Sequence, residues 1–182
     1  PEAPLKRFLD AGGEALINVG TTLENSRWVR DFARSHPGKV FATAGIHPQE
    51  VEKVTEKDWE TLAALASSGG FVAIGETGLD YHRPPVDPAN KEKQKAFFRN
   101  QIDLAIGLNL PVVVHNRESD ADALSVIDEF GGKARGVFHC FGSDRAMAEA
   151  VLARGFLVSF SGILTFPKAA NLHGAARALP LD

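Results

Sequence analysis

The sequence predicts an α/β protein, an incomplete TIM-type (β/α)8 barrel with about six of the eight units, residues 1–182 forming a single partial-barrel domain. Three observations predict it. Short apolar runs rich in Val, Ile and Phe recur along the chain, helical patterns alternate with them one for one, and polar residues gather where several runs end. Strict β-then-α alternation implies a parallel sheet, because parallel neighbours need a long crossover and a helix supplies it. Two versions of such a sheet compete, the open doubly wound form and the closed barrel. No G-x-G-x-x-G or G-x-x-x-x-G-K-[ST] follows any run, which removes the usual phosphate loops of the open form. Polar residues at the carboxyl ends of several different strands are how a barrel builds a site.

The elements follow in order. The runs "ALINVG" (15–20), "VFATAGI" (40–46), "FVAIGE" (71–76), "PVVVH" (111–115), "ARGVFH" (134–139) and "FLVSFSG" (156–162) read as buried parallel strands. Leu23, Trp28, Val29, Phe32 and Ala33 form a helical stripe that stops at Pro37-Gly38. Thr55 with Asp58 makes a capping box for the helix carrying Trp59, Leu62, Ala63 and Ala66. Asp87 followed by Pro88 is an N-cap with proline at the first helical position, opening the segment that carries Phe98, Ile102, Ala105 and Ile106. Leu124, Ile127 and Phe130 stop at Gly131-Gly132, and Ser143 is the expected cap of a helix through Met147 and Val151 that ends at Gly155.

Composition excludes several classes. No apolar run approaches the roughly 18–20 residues of a membrane helix, so no membrane partner is expected. The lone Cys140 leaves no internal disulfide framework, which suits a reducing, cytoplasmic setting. A net charge of −3 gives no global attraction for nucleic acid, so a bound polyanion needs a local arginine cluster or a metal ion.

Three strand ends carry the chemistry: Glu76, His115 and His139. Alone, each has an ordinary reading as a loop carboxylate, a cap or a hydrogen-bonded histidine. Together, on strand ends that face one axial cavity, one carboxylate and two imidazoles suit a transition metal of the Zn, Mn or Co kind, whereas Mg²⁺ prefers oxygen. His47, in "AGIHPQE", sits just past a strand end with Pro48 fixing the turn, so it either faces the cavity or serves the fold. Arg83 and Arg117 follow Glu76 and His115 closely, and a guanidinium grips phosphate in a forked geometry; the plain alternative is a solvated loop arginine. Tyr81 and His82 flank a substrate or close the loop. Cys140 is expected to pack outward, opposite His139, as a small apolar group.

"AGIHPQE", "IGETGLDYH", "LPVVVHNRE", "FHCFGSD" and "FLVSFSGILTF" together resemble the TatD family of metal-dependent deoxyribonucleases. The resemblance implies a barrel metallohydrolase that hydrolyses phosphodiester bonds in DNA, often removing nucleotides from a 3′ end, with single-stranded DNA or a 3′ end as the substrate. It places Glu76, His115 and His139 at metal-ligand positions and His47, Arg83 and Arg117 near the substrate. It also implies that the glycines beside Glu76 leave room for a metal-bridging carboxylate. An intact family site holds two divalent ions, Zn, Mg or Mn.

Two family features have no counterpart here. Nothing like the family's H-x-H pair precedes Pro1, and the chain stops at Asp182, before the strand that ends in the family's aspartate base. The expectation is therefore an internal fragment lacking the first and last strands, with one metal bound, impaired turnover, and self-association through two open edges. Two alternatives are another hydrolase of the same superfamily, such as a tRNA-editing deacylase, and an inactive scaffold.

Overall fold

The computed structural model describes residues 2–180. Six strands form one parallel sheet in the order β1 (Leu16–Asn18), β2 (Val40–Ala44), β3 (Ala73–Asp80), β4 (Val112–Arg117), β5 (Gly136–Phe138) and β6 (Leu157–Val158). Spatial order equals chain order. A doubly wound sheet reverses direction at a switch point, and this one never does. Each right-handed crossover therefore steps the same way and lays its helix on the same face, which is the winding of a barrel wall. The fold is the incomplete barrel that the alternation predicts, with β1 and β6 as its edges among the described residues.

The helices are α1 (Glu2–Asp10), α2 (Leu23–Ser35), α3 (Glu56–Ser67), α4 (Pro88–Gly107), α5 (Asp120–Asp128), α6 (Arg145–Leu152) and α7 (Ala170–Ala178), with short 3₁₀ turns at Pro48–Lys53 and Gly162–Thr165. Local chemistry sets their starts. Thr22 accepts from the Asn25 N–H, Thr55 and Asp58 complete the capping box, and Asp87 accepts from the Asn90 N–H. Each such cap is worth about 1 kcal/mol. At α6 the cap is Asp144, which accepts from the Met147 N–H; Ser143 instead donates to Asp120. A carboxylate suits a helix N-terminus better than a hydroxyl does, because the helix dipole favours negative charge there.

The core lies between the helices and the convex face. Phe98 and Ile102 of α4, Leu62 of α3, and Ile74 and Phe138 of the sheet are at most 1% exposed. Burial of each large side chain contributes roughly 2–3 kcal/mol. The concave face is layered. Val113, Val137 and Leu157 are register partners across β4, β5 and β6, and Ile17 pairs with Phe41 across β1 and β2. Ile17, Val113, Val137 and Leu157 line one apolar cavity of about 440 Å³ near the amino-terminal ends of the strands. Two residues further along, at 115 and 139, the side chains are imidazoles.

Pairing is unequal along the sheet. β3 and β4 each have a neighbour on both sides and share the longest pairing in the sheet, whereas among the described residues β1 and β6 each have one neighbour and expose Ile17 and Leu157. Amide hydrogen exchange measured by mass spectrometry is expected to be slowest in β3 and β4 and fastest in β1 and β6. Equal protection of β6 and β4 would mean that the β6 edge is covered in solution.

Candidate metal centre

β3 does not end on Glu76 as the apolar run suggests. It continues through Gly78 to Asp80, and β4 likewise runs past His115 to Arg117. Gly78 pairs with His115 in register, after an irregularity between Ile74 and Thr77. Here the glycines have a different use from clearing space at the carboxylate. Gly78, at φ +127°, would drive a Cβ into the His115 carbonyl, and a Cβ on Gly75 would lie 2.6 Å from the Val113 carbonyl oxygen. They let β3 close on β4, which brings Glu76 beside His115.

His115 stands between two carboxylates. Its Nδ1 lies 3.0 Å from Glu76 Oε1 and its Nε2 lies 3.1 Å from Asp80 Oδ2. His47 approaches from the turn after β2: its Nδ1 accepts from the Gln49 N–H, its Nε2 is 3.9 Å from Glu76, and its ring meets that of His115 edge-on at 4.4 Å. One donor atom each from His47, Glu76 and His115 falls within 4.8 Å of the others, a group that could hold a metal ion.

The protonation states fit that use. Burial alone would push the Glu76 carboxyl up, but its close contact with His115 Nδ1 and the nearby imidazoles bring it below its ordinary value, so it is ionised near neutrality. His47 is pushed down by burial and by His115, so its imidazole stays neutral, with Nδ1 accepting from the Gln49 N–H and the ring proton on Nε2. Asp80 is also held below the usual carboxylate range: burial opposes this, and the N–H groups of His82 and Arg83 more than offset it. An ionised carboxylate and a neutral imidazole are the forms in which these side chains ligate metal.

His139 lies outside this tight group. It is exposed, and with His115 it lines a cavity of about 450 Å³ whose wall also includes Asn116, Arg117 and Ile163. Its charge still reaches Glu76. Cys140 lines the same cavity, contrary to the expected outward packing, with its Sγ 2.8 Å from Ser161 Oγ. β5 stops at Phe138 and Cys140 adopts a left-handed φ of +50°, so strand alternation no longer governs where its side chain points.

The remaining candidates separate. Arg83 and Arg117 are exposed, with no ion pair among the described residues. His82 is exposed and its Nδ1 lies 2.6 Å from Glu118. Tyr81 is engaged elsewhere: its hydroxyl donates to Asp122 at 2.7 Å and Lys91 sits over its ring, so it closes the loop against α4 and α5. Asp80 escaped the sequence reading although a signal was present. Glu76 and Asp80 are four apart on one strand, and a period of two puts them on one face.

The family model described as TatD related DNase matches residues 1–182. A relative in Escherichia coli K12, named "Uncharacterized metal-dependent hydrolase YcfH", is 41% identical over 167 residues, which cover 91% of this chain and 61% of that protein. The protein named "3'-5' ssDNA/RNA exonuclease TatD" in Erwinia tasmaniensis is 36% identical over 159 residues, covering 87% of this chain and 60% of that protein. The crystal structure of YJJV, a TatD homolog from Escherichia coli K12, superposes with a TM-score of 0.88 at 27% identity, over 98% of this chain and 68% of that one. The chain thus spans about three fifths of the length of the two named proteins.

Proposed function

The chain belongs to the TatD related DNase family, and on that premise we propose that it carries one side of a divalent-metal centre for hydrolysing phosphodiester bonds at the 3′ end of single-stranded nucleic acid. The observation that supports this most is the convergence of Glu76, His115 and His47 at the carboxyl end of a singly wound parallel sheet. Glu76 and His115 would hold the ion, and His139 would join them across the cavity that it lines with His115. When bound, the ion would polarise the phosphate and lower the pKa of a coordinated water.

The protein's own groups do the rest. Glu76 stays ionised and keeps negative charge at the ion's position. His47, held through Nδ1 by the Gln49 N–H, presents Nε2 at the cavity side and donates to a phosphate oxygen when that nitrogen carries the proton. Arg83 and Arg117 are exposed guanidiniums that take flanking phosphates, which matters in a chain whose net charge is −3. His82 and Tyr81 shape the loop that carries Arg83.

Fluorescence anisotropy with a 3′-labelled single-stranded DNA tests the reading. Binding is expected to be tighter in Mn²⁺ than in EDTA. Arg117→Ala should weaken it by about 3–10-fold and lower the slope of log K against log salt by about 0.7, the share of one phosphate contact. Equal binding with and without metal, or cleavage of an aminoacyl ester with DNA left untouched, would sink the nuclease reading.

A further inference from the structure

Asp80 is fully buried, yet its carboxylate is shared among four groups from three parts of the molecule. Oδ1 accepts the backbone N–H of His82 at 3.0 Å and of Arg83 at 3.2 Å, folding back the loop that carries Arg83. Oδ2 accepts from Gln49 at 2.6 Å and stands 3.1 Å from His115 Nε2. Gln49 belongs to the same turn as His47, and its own N–H orients His47. Gln94 of α4 clamps the Asp80 backbone, donating to its carbonyl and accepting from its N–H. The carboxylate is thus fixed before any ligand arrives.

We propose that Asp80 is the positioning residue of this centre: it holds the proton of neutral His115 on Nε2 and leaves the Nδ1 lone pair directed to the Glu76 side, where the ion of the proposed function would sit. The competition for that proton is between two carboxylates. Asp80 has no exposed surface, whereas the Glu76 side chain keeps 14%. Glu76 can take water in place of an imidazole N–H, and Asp80 cannot, so the single proton of the neutral ring stabilises the buried side more. A carboxylate behind a ligating histidine is a recurrent way to fix the tautomer and raise the basicity of the other nitrogen. The same group sets the register of the loop bearing Arg83 and of the turn bearing His47, so one carboxylate places three functional side chains. This role rests on the metal reading above; the tautomer itself does not.

Asp80→Asn separates the two oxygens of the group. The amide oxygen can still accept from His82 and Arg83, but the NH₂ would face His115 Nε2 and the Gln49 amide, so Nε2 must become an acceptor and the proton must move to Nδ1. The experiment is ¹⁵N–¹H correlation of the imidazoles in metal-free, ¹⁵N-histidine-labelled protein at roughly pH 9, well above the ordinary histidine pKa. Wild type is expected to show His115 as the Nε2–H tautomer, Asp80→Asn as the Nδ1–H tautomer, and Gln49→Leu as wild type. Calorimetric titration with Zn²⁺ alone should then show about 10–100-fold weaker binding for Asp80→Asn. If that variant does not fold, the wild-type tautomer decides alone. Nδ1–H in wild type, or a tautomer indifferent to Asp80→Asn, would overturn the proposal; absence of Zn²⁺ binding by wild type would instead remove the metal reading and leave the tautomer result to stand on its own.

Discussion

Glu76→Ala and His115→Ala are each expected to abolish the stabilisation that Zn²⁺ or Mn²⁺ should give this protein. At a free metal concentration of 100 times Kd, one ion that binds only the folded state adds about 2.7 kcal/mol. For a chain of this size that is a rise in Tm of roughly 5–10 °C. The two side chains place ligand atoms 3.0 Å apart, and the imidazole of His115 helps keep Glu76 ionised. Differential scanning calorimetry with and without metal reads the effect. Two further variants divide the remaining imidazoles: His139→Ala is expected to remove most of the shift, whereas His47→Ala should leave most of it and weaken nucleic-acid binding instead. A full metal shift in His115→Ala would end the metal assignment.

Gly78→Ala is expected to cost about 3 kcal/mol or more and to scatter the site with it. At φ +127° a side chain is strained whatever surrounds it, and here the added methyl would also collide with the carbonyl of His115 across the β3–β4 pair. Unlike the exposed end of a side chain, that carbonyl cannot swing away, because it belongs to the strand backbone. The strands must part, and Glu76 and His115 part with them. Urea unfolding measures the loss, and Zn²⁺ titration of whatever folded protein remains should show weakened binding. Gly132→Ala is the control, also at positive φ but with nothing within 4 Å of the new methyl, so it should cost only the backbone strain. Equal losses at the two positions would show that strand approach is not what Gly78 provides.

The fold was legible because its signals are local. Apolar runs, capping residues such as Thr55 and Asp87, and the glycines after α2 and α5 each act within a few residues, and six β/α units followed from them. Where strands end was less legible: β3 outlasts its apolar run by four residues because Thr77, Gly78 and Asp80 are buried by neighbours distant in sequence. The nearness of Glu76 and His115 was legible because they lie on adjacent strands of the predicted order, although an irregularity between Ile74 and Thr77 interrupts the alternation beside Glu76. The placement of Cys140 was not, because it lies beyond a strand of three residues in a left-handed turn. The tight grouping of His47 with Glu76 depends on how a turn folds back over the sheet, and no spacing within "AGIHPQE" encodes that. Asp80 was hidden for another reason: its partners come from 31 to 35 residues away as well as from the next loop.

The layered concave face makes the site sensitive to length more than to identity. Along β4, Val112 and Val114 turn toward the helices while Val113 and His115 turn inward, so packing and chemistry occupy alternate places in one strand. Exchanging Val113 for another apolar residue disturbs only the floor beneath the site. Losing one residue from that strand ahead of His115 would instead carry His115 into the helix layer and put Asn116 in its place beside Glu76. For a lineage of such proteins, apolar identity can drift at the floor positions of these strands provided that the count of residues between floor and site does not change.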